Sequence, residues 1–352
     1  MTGDNYFEKT LVHSIPSLER QYQAVREGIA FNDLSDVRLY EVTGDETIDY
    51  LDFVLTGPVG RLREENLLHT LCIDLEGNII SDIYVVNVDG ERGFLMADGG
   101  DLETLDQFLK THLANFEEVK LSEINSSYSL FSLDGPYSTI PFETVCGPEI
   151  LGLRYMSFLT LEKDENTFVL RAGKTGEYGF WVLTPRENSQ SLTEKLWHEA
   201  EKSGHPIASY GEQTKELVRM ENNFLNIEAE GRFTRNPLEL GLFWAFQIDK
   251  EMVAEEAVEN MLNSKIEKSL VGFIVESGEV QEGDRVFYKE NEIGVIVAIQ
   301  HSFSLDKQIG KALLNPEYNY TGMIYKTARE PVLLKTVSMP FVFNKSLTVK
   351  NS

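Results

Sequence analysis

The feature that most constrains this chain is a glycine-flanked acidic turn that leads directly into an apolar strand. The turn reads Gly176-Glu177-Tyr178-Gly179. Glycine lets the backbone approach a ligand closely, and the carboxylate between the glycines can accept hydrogen bonds. Residues 180–183 are aromatic and aliphatic and predict a β-strand. We therefore expect a ligand-binding loop at the start of a buried strand, with a plain hairpin turn as the alternative.

An amphipathic helix follows this turn farther along the chain. Leu217, Met220 and Phe224 are spaced three and four residues apart, which places them on one helix face. Arg219 and Glu221 lie on other faces and are expected to meet the acidic turn across a cleft. An exposed ion pair on the helix surface is the alternative for these two residues.

Length and charge limit the domain count and the partners. A chain of 352 residues is too long for one ordinary core and predicts two or three packed subdomains. Its 32 basic and 57 acidic residues give a formal net charge of −25, which repels nucleic acid and anionic membranes. An anionic ligand would therefore need local cations, for which Arg219, Arg232 and Arg235 are the candidates.

The two cysteines, Cys72 and Cys146, form neither a CxxC pair nor a metal-ligand spacing. They predict reduced thiols in a cytoplasmic protein. The N-terminal sequence has no basic region followed by an apolar core, and no window approaches a membrane span. We expect no membrane partner, and the sequence leaves monomer and homodimer open.

The pattern of strands and helices divides the chain into three regions. Residues 1–241 carry mixed helices and strands, with an approximate split near residue 125. Residues 242–268 form a connector. From residue 269 to 352, short strands with polar turns predict a small antiparallel barrel.

Several motifs occur in an order typical of one family. The chain carries TGExGF at residues 175–180, LxRxExxxL at 217–225 and NPLELGLFW at 236–244. Farther upstream, Thr70, Gly77 and Asp82 match a Y-T-x-x-L-x-x-x-G-x-x-x-D-D pattern in which His69 replaces the tyrosine, and Leu133-Asp134-Gly135-Pro136 matches an x-x-G-P turn. In this order the motifs resemble the glycine-cleavage T-protein (aminomethyltransferase) family, which includes the tetrahydrofolate-dependent demethylases.

The resemblance implies a fold and a cofactor. The fold is α+β, with two mixed α/β folate-binding subdomains and a C-terminal small antiparallel β-barrel around a central funnel. The cofactor is tetrahydrofolate. The resemblance assigns its binding to residues on the acidic turn, the following strand and the downstream helix, namely Glu177, Tyr178, Trp181, Arg219 and Glu221.

Two positions depart from the glycine-cleavage enzymes; the first disfavours aminomethyl transfer, and together they keep the non-catalytic scaffold open. Leu105 stands where those enzymes carry an aspartate, whereas Ala97-Asp98 fits the demethylases. Trp181 stands where many relatives have glutamate. Tryptophan can stack on a flat ring but cannot accept its hydrogen bonds, and a buried strand residue is the alternative.

The candidate catalytic residues are His69, Asp98 and Asp101. A methyl ether donor leaves as an oxyanion and needs an acid, for which His69 is the candidate, whereas a sulfonium or quaternary ammonium donor leaves as a neutral product. Asp98 and Asp101 could hold a cationic substrate or assist proton transfer. The alternatives are a structural histidine and solvated loop acids, with Asp101 capping the next helix.

We therefore expect an enzyme that moves a methyl or one-carbon group from a small methylated substrate to tetrahydrofolate. A glycine-cleavage-type aminomethyltransferase and a non-catalytic folate-binding scaffold are the alternatives. Some relatives act in iron–sulfur protein maintenance and carry a cysteine in the turn. Residues 174–177 read Lys-Thr-Gly-Glu and lack it, which disfavours that function.

Overall fold

The structure is a computed structural model that describes residues 16–162, 164–328 and 332–349. The expectation about a secretory signal falls on the N-terminus, outside these ranges. Within them, no helix combines the length and the apolar character that a membrane crossing requires. Both cysteines are free thiols.

The first half of the chain alternates strands with short helices. In chain order its elements are α1 (Leu18–Glu27), β1 (Ile29–Asp33), β2 (Arg38–Thr43), α2 (Thr47–Val54), β3 (Asn66–Ile73), β4 (Ile79–Asn87), β5 (Arg92–Gly100), α3 (Leu102–Leu113), β6 (Lys120–Glu123), β7 (Tyr128–Asp134) and α4 (Thr139–Cys146).

The second half begins with mixed elements and ends with strands alone. In chain order these are β8 (Phe158–Leu161), β9 (Asp164–Leu170), β10 (Gly179–Pro185), α5 (Arg186–Lys202), β11 (Ile207–Ser209), α6 (Glu212–Glu221), α7 (Glu255–Asn263), β12 (Ser269–Ser277), β13 (Arg285–Tyr288), β14 (Asn291–Ser302), β15 (Lys307–Leu314), β16 (Ile324–Thr327) and β17 (Leu333–Val337).

The first sheet has five antiparallel strands in the order β3-β4-β5-β2-β6. Helices α2 and α3 cover one face, where Tyr50 and Leu105 pack against Val85. The other face shares a core with the second sheet, where Tyr84 packs with Trp181. Strand β4 is buried at every position because both of its faces are covered, so its sequence lacks the polar and apolar alternation of a half-exposed strand.

The second sheet has six strands in the order β11-β1-β7-β10-β9-β8. Strands β1 and β11 pair in parallel, and the other neighbours are antiparallel. Helices α4 and α5 contribute Phe142 and Leu196 to the core on one side of this sheet. Because β1 precedes the whole first sheet in the chain yet belongs to the second, the two subdomains are intertwined.

The C-terminal strands close into a six-stranded barrel in the order β12-β15-β14-β13-β16-β17. Its interior is filled by aliphatic and aromatic side chains such as Phe273, Ile296 and Tyr325. The α+β fold with two mixed subdomains and an antiparallel barrel is therefore confirmed. Closure pairs both edges of the sheet, which removes the exposed strand edges that favour aggregation.

The ends of two helices show how local residues set helix boundaries. Ser17 caps α1 by accepting a hydrogen bond from the Arg20 amide at 3.4 Å. Helix α6 ends at Glu221, and Asn223 adopts φ 59°, so the expectation that Phe224 extends the apolar face of this helix is wrong. The left-handed backbone at Asn223 breaks the helical register and turns Phe224 toward a cavity.

Candidate functional site

A cavity of about 440 Å³ lies where the two subdomains, the connector and the barrel meet. Strand β3 contributes His69, and the segment before β8 contributes Tyr155. Asn223 follows helix α6, Trp244 belongs to the connector, and Lys311 comes from barrel strand β15. Cavities of this size and mixed lining are typical of sites for small organic ligands.

His69 forms part of the cavity wall and packs against two aromatic rings. Its ring stacks on Tyr84 with centroids 4.2 Å apart and lies 4.7 Å from the Trp244 ring. Its Nε2 atom is 2.5 Å from Asp82 Oδ1, and about 15% of its side chain is exposed. The imidazole is therefore oriented by its neighbours and remains open to the cavity.

Behind His69, a chain of buried charges runs away from the cavity. Lys174 Nζ donates to Asp82 Oδ2 at 2.5 Å and to Asp98 Oδ2 at 2.6 Å. Arg219 Nη2 donates to the same oxygen of Asp98 at 2.5 Å. Two carboxylates are thus paired with one lysine and one arginine, which is the condition for burying charge at tolerable cost.

The electrostatic state of both aspartates follows from these partners. Burial alone would raise the pKa of the Asp82 carboxyl, but His69 and Lys174 more than offset it, so this pKa is lowered. Burial is likewise outweighed at Asp98, where Arg219 and Lys174 hold the pKa of the carboxyl well below its usual range. Both carboxylates are ionised at neutral pH.

The predicted residues Glu177 and Tyr178 lie in the turn before β10, and their polar groups contact the C-terminal segment. Both carboxylate oxygens of Glu177 accept hydrogen bonds from residues 345 and 346, and its side chain is fully buried. The Tyr178 ring is half-buried, with the Arg171 guanidinium 4.6 Å from its centre. Neither residue lines the 440 Å³ cavity, and their role in binding the cofactor stays a prediction.

Glu221 is also buried and joins three elements. Its carboxylate accepts hydrogen bonds from Tyr22 Oη at 2.8 Å, Arg26 Nη2 at 2.6 Å and Ser302 Oγ at 2.6 Å. These donors come from α1 and from barrel strand β14. Glu221 therefore links the helices to the barrel, and its predicted cofactor role stays a prediction.

Trp181 lies within the core shared by the two sheets. Its ring is 4.6 Å from the Tyr84 ring, and it borders a second cavity of about 20 Å³, which is large enough for a single water molecule. Lys174 and Arg219 line the same small cavity. Trp181 is thus a strand residue that packs in the core and lies beside the buried charges.

Asp101 is exposed and stands apart from the buried charges. Its Oδ1 accepts a hydrogen bond from the Thr104 amide at 3.0 Å, and this capping contact lowers the pKa of the Asp101 carboxyl. The geometry matches the capping alternative. Of the predicted catalytic set, the structure brings His69 and Asp98 together through two residues that were not predicted as site residues.

Those two residues are Asp82 and Lys174. Asp82 had a signal, since it interrupts the apolar run of β4 and matches the family pattern quoted above. An acid in a strand buried on both faces requires a partner, which is itself evidence of a site. For Lys174 the only signal was its position beside the acidic turn. Its partners are distant in the chain, since Asp98 is 76 positions away and Asp82 is 92 positions away.

The arginines proposed to balance an anionic ligand have partners of their own. Arg219 pairs with Asp98, and Arg232 Nη2 donates to Glu282 at 2.6 Å. Arg235 Nη1 donates to the Ile79 carbonyl at 3.4 Å. The basic group on the cavity lining is instead Lys311, whose Nζ lies 2.6 Å from Glu230.

Two family models match the chain. The GCVT N-terminal domain matches residues 3–250, and the glycine cleavage T-protein C-terminal barrel domain matches residues 268–342. The aminomethyltransferase of Thermotoga neapolitana is 26% identical over 301 residues, covering 85% of this chain and 82% of that protein. That of Chlorobaculum tepidum is 27% identical over 309 residues, covering 86% and 83%.

A solved structure supports the fold independently. The crystal structure of glycine cleavage system aminomethyltransferase T from Bartonella henselae superposes with a TM-score of 0.82 over 92% of this chain and 89% of that chain. The sequence identity over this match is 19%, so this likeness shows the fold alone.

The fold, the central cavity and these matches define the class of tetrahydrofolate-dependent one-carbon transferases. Within that class, the chain belongs to the glycine cleavage T-protein family, because one family model covers residues 3–250 and a second covers the barrel. The resemblance found in the sequence is thereby confirmed at the level of the family. The demethylase branch stays a prediction.

Proposed function

We propose that this chain transfers a methyl or other one-carbon group from a small methylated donor to tetrahydrofolate. The observation that carries the proposal is the oriented imidazole of His69 on the wall of the 440 Å³ cavity, backed by the ionised Asp82. A cytoplasmic location is part of the proposal and rests on the pattern of two separate free cysteines.

The residues around the cavity fit a folate. Its volume of about 440 Å³ suits a ligand of that size. The exposed ring of Trp244 offers a flat face on which a ligand ring can stack, and the exposed Asn223 and the buried Lys311 offer polar groups. Bound tetrahydrofolate would supply the amine nitrogen that takes up the one-carbon unit and gives up a proton.

His69 is positioned to manage that proton. Imidazole groups gain and lose protons near neutral pH, and an adjacent ionised carboxylate stabilises the imidazolium form. Asp82 provides this carboxylate, and Lys174 and Asp98 keep it in place. With a sulfonium or quaternary ammonium donor the leaving group departs neutral, so His69 acts only as a base.

Aminomethyl transfer is the second candidate. The relatives in Thermotoga neapolitana and Chlorobaculum tepidum both bear the name aminomethyltransferase. An amine that leaves in such a transfer takes up a proton, and His69 could return one to it. The same side chain therefore serves either donor, and the product distinguishes them.

The test is calorimetric titration of the protein with tetrahydrofolate, followed by a screen of methylated sulfonium, ammonium and ether donors. We expect micromolar binding and a methylated folate product from at least one donor. His69→Ala should lower turnover by at least about 100-fold, the usual contribution of a general acid or base. His198→Ala, at an exposed histidine on α5, serves as the matched control and should leave turnover unchanged.

Two results would count against demethylation. A one-carbon product formed only from an aminomethylated carrier, with release of ammonia, would establish the second candidate. Absence of folate binding up to millimolar concentration would exclude both demethylation and aminomethyl transfer and favour the non-catalytic scaffold.

A further inference from the structure

The carboxylate of Glu177 is enclosed by a short segment from the far end of the chain. Ser346 donates to Glu177 Oε2 through both its backbone amide, at 2.8 Å, and its hydroxyl, at 2.5 Å. The Lys345 amide donates to Oε1 at 3.1 Å. These three hydrogen bonds from one segment make a directional attachment, and Arg26 Nη1 adds a fourth contact to the same carboxylate at 3.4 Å.

The same segment is fixed at other points along its length. Tyr178 donates its amide to Ser346 Oγ at 2.8 Å, so the serine hydroxyl is held from both sides. Arg26 Nη1 donates to Asn344 Oδ1 at 3.3 Å, and the Phe341 amide donates to the Glu221 carbonyl at 2.7 Å. Residues 344–346 are thus anchored to the acidic turn and to α1, and the chain just before them is anchored to the end of α6.

The turn that this segment holds also carries Lys174. Between Lys174 and Glu177 the backbone passes through Gly176 at φ 79°, where an added Cβ would lie 2.6 Å from Asn344 Nδ2 and 2.1 Å from Asn222 Oδ1. The turn is therefore closely packed against the segment. Because only three peptide units separate Glu177 from Lys174, fixing the former limits the movement of the latter.

We propose that residues 344–346 form a positioning strap, which holds the turn 174–178 so that Lys174 bridges Asp82 and Asp98 behind His69. Ser346 and Glu177 are then positioning residues, which act on the cavity through Lys174. The family barrel model matches residues 268–342 and ends before the strap, so these contacts are made by residues beyond that match.

The test uses the full chain and two independent readouts. Hydrogen–deuterium exchange should show faster exchange of the amides of residues 172–178 in Ser346→Ala and in Glu177→Gln, by about 10-fold, because the turn opens more readily. Turnover should fall by about 10-fold, while the Kd for tetrahydrofolate stays within about 3-fold, because positioning rather than binding is lost. Leu347→Ala is the matched control, since its side chain is 78% exposed in the same helical turn.

A double variant separates the strap from general destabilisation. If the Glu177 to Ser346 contact transmits the effect, Ser346→Ala combined with Glu177→Gln should lower turnover about as much as the stronger single change. Unchanged exchange in residues 172–178, multiplicative losses in the double variant, or a Kd that rises with no change in turnover would each overturn the strap. The turnover readout rests on the proposed function; if the wild type transfers no carbon, the exchange readout still decides.

Discussion

Buried aspartates in this protein differ in pKa because their partners differ. Asp82 and Asp98 face cations, which lower their pKa values. Asp134 accepts hydrogen bonds from the hydroxyls of Ser132 and Tyr210, at 2.5 Å and 2.8 Å. Burial raises the pKa of Asp134 to about 6, and these hydrogen bonds offset it only in part. Hydroxyl partners stabilise a carboxylate less than cations do.

The raised pKa of Asp134 predicts a specific pH dependence. A carboxyl whose pKa rises from about 3.9 in the unfolded chain to about 6 on folding contributes stability that is fully present below the lower value and is lost as pH passes the higher one. Relative to Asp134→Asn, the wild type should lose about 2 kcal/mol of unfolding free energy between about pH 4 and pH 7. Urea unfolding of both proteins measures this difference, and parallel curves would contradict the assignment.

At the residue scale, the sequence indicates mainly what depends on near neighbours. His69 and Asp98 were chosen from the pattern and are linked through Asp82 and Lys174, and their catalytic roles stay predictions. Asp101 was correctly offered as a helix cap, because capping depends on three neighbouring residues. Lys174 was not predicted as a site residue, because its acceptors Asp82 and Asp98 lie on β4 and β5 and no residue near Lys174 in the chain indicates them.

At the scale of elements, the end of α6 is a joint between helices and barrel. Its apolar residues serve different neighbours, since Leu217 packs with Val25 of α1 whereas Met220 packs with Ile309 of the barrel. The sequence pattern predicted a single apolar face on this helix, but part of that face packs against α1 and part against the barrel. Glu221 completes the joint through donors from both sides.

The variant Glu221→Gln should show whether Glu221 links the helices to the barrel or binds the cofactor. Loss of the charge leaves Arg26 buried with a weaker partner, so unfolding free energy should fall by about 3 kcal/mol. Glu212→Gln in the same helix removes an exposed partner of Lys215 and should cost about 0.5 kcal/mol or less. If Glu221 acts only in packing, the tetrahydrofolate affinity of the folded variant should stay within about 3-fold, whereas a larger loss in calorimetry would support the predicted cofactor role.

At the scale of the whole molecule, the barrel completes the cavity. Lys311 on β15 and Glu230 before the connector form a buried pair at 2.6 Å, and both line the cavity wall. The lysine is 1% exposed and also donates to the Phe224 carbonyl at 3.2 Å. Barrel docking and cavity shape therefore depend on the same contact.

Lys311→Ala should accordingly affect stability and binding together. An uncompensated buried Glu230 should lower unfolding free energy by about 3 to 5 kcal/mol. Tetrahydrofolate affinity should fall by at least about 5-fold, because the wall loses its cation. Lys307→Ala is the control on the same strand, because Lys307 forms a half-exposed pair with Glu276. It should change neither the unfolding free energy in denaturation nor the folate affinity in calorimetry. Normal folate affinity in a folded Lys311 variant would show that the barrel contributes no wall to the site.

The sequence alone indicated individual helices and strands, because periodicity, caps and turn residues act over a few positions. The order of its motifs indicated the family and, through that resemblance, the three-part fold. It also singled out Asp98, Glu177 and Glu221, which are buried in the structure. Only the tertiary structure decided where their carboxylates point. Glu177 turns toward Ser346, 169 positions away, while Lys174 meets Asp82, 92 positions away. A buried charge takes the partner that packing brings within hydrogen-bond distance, and such distances are set when separate elements meet.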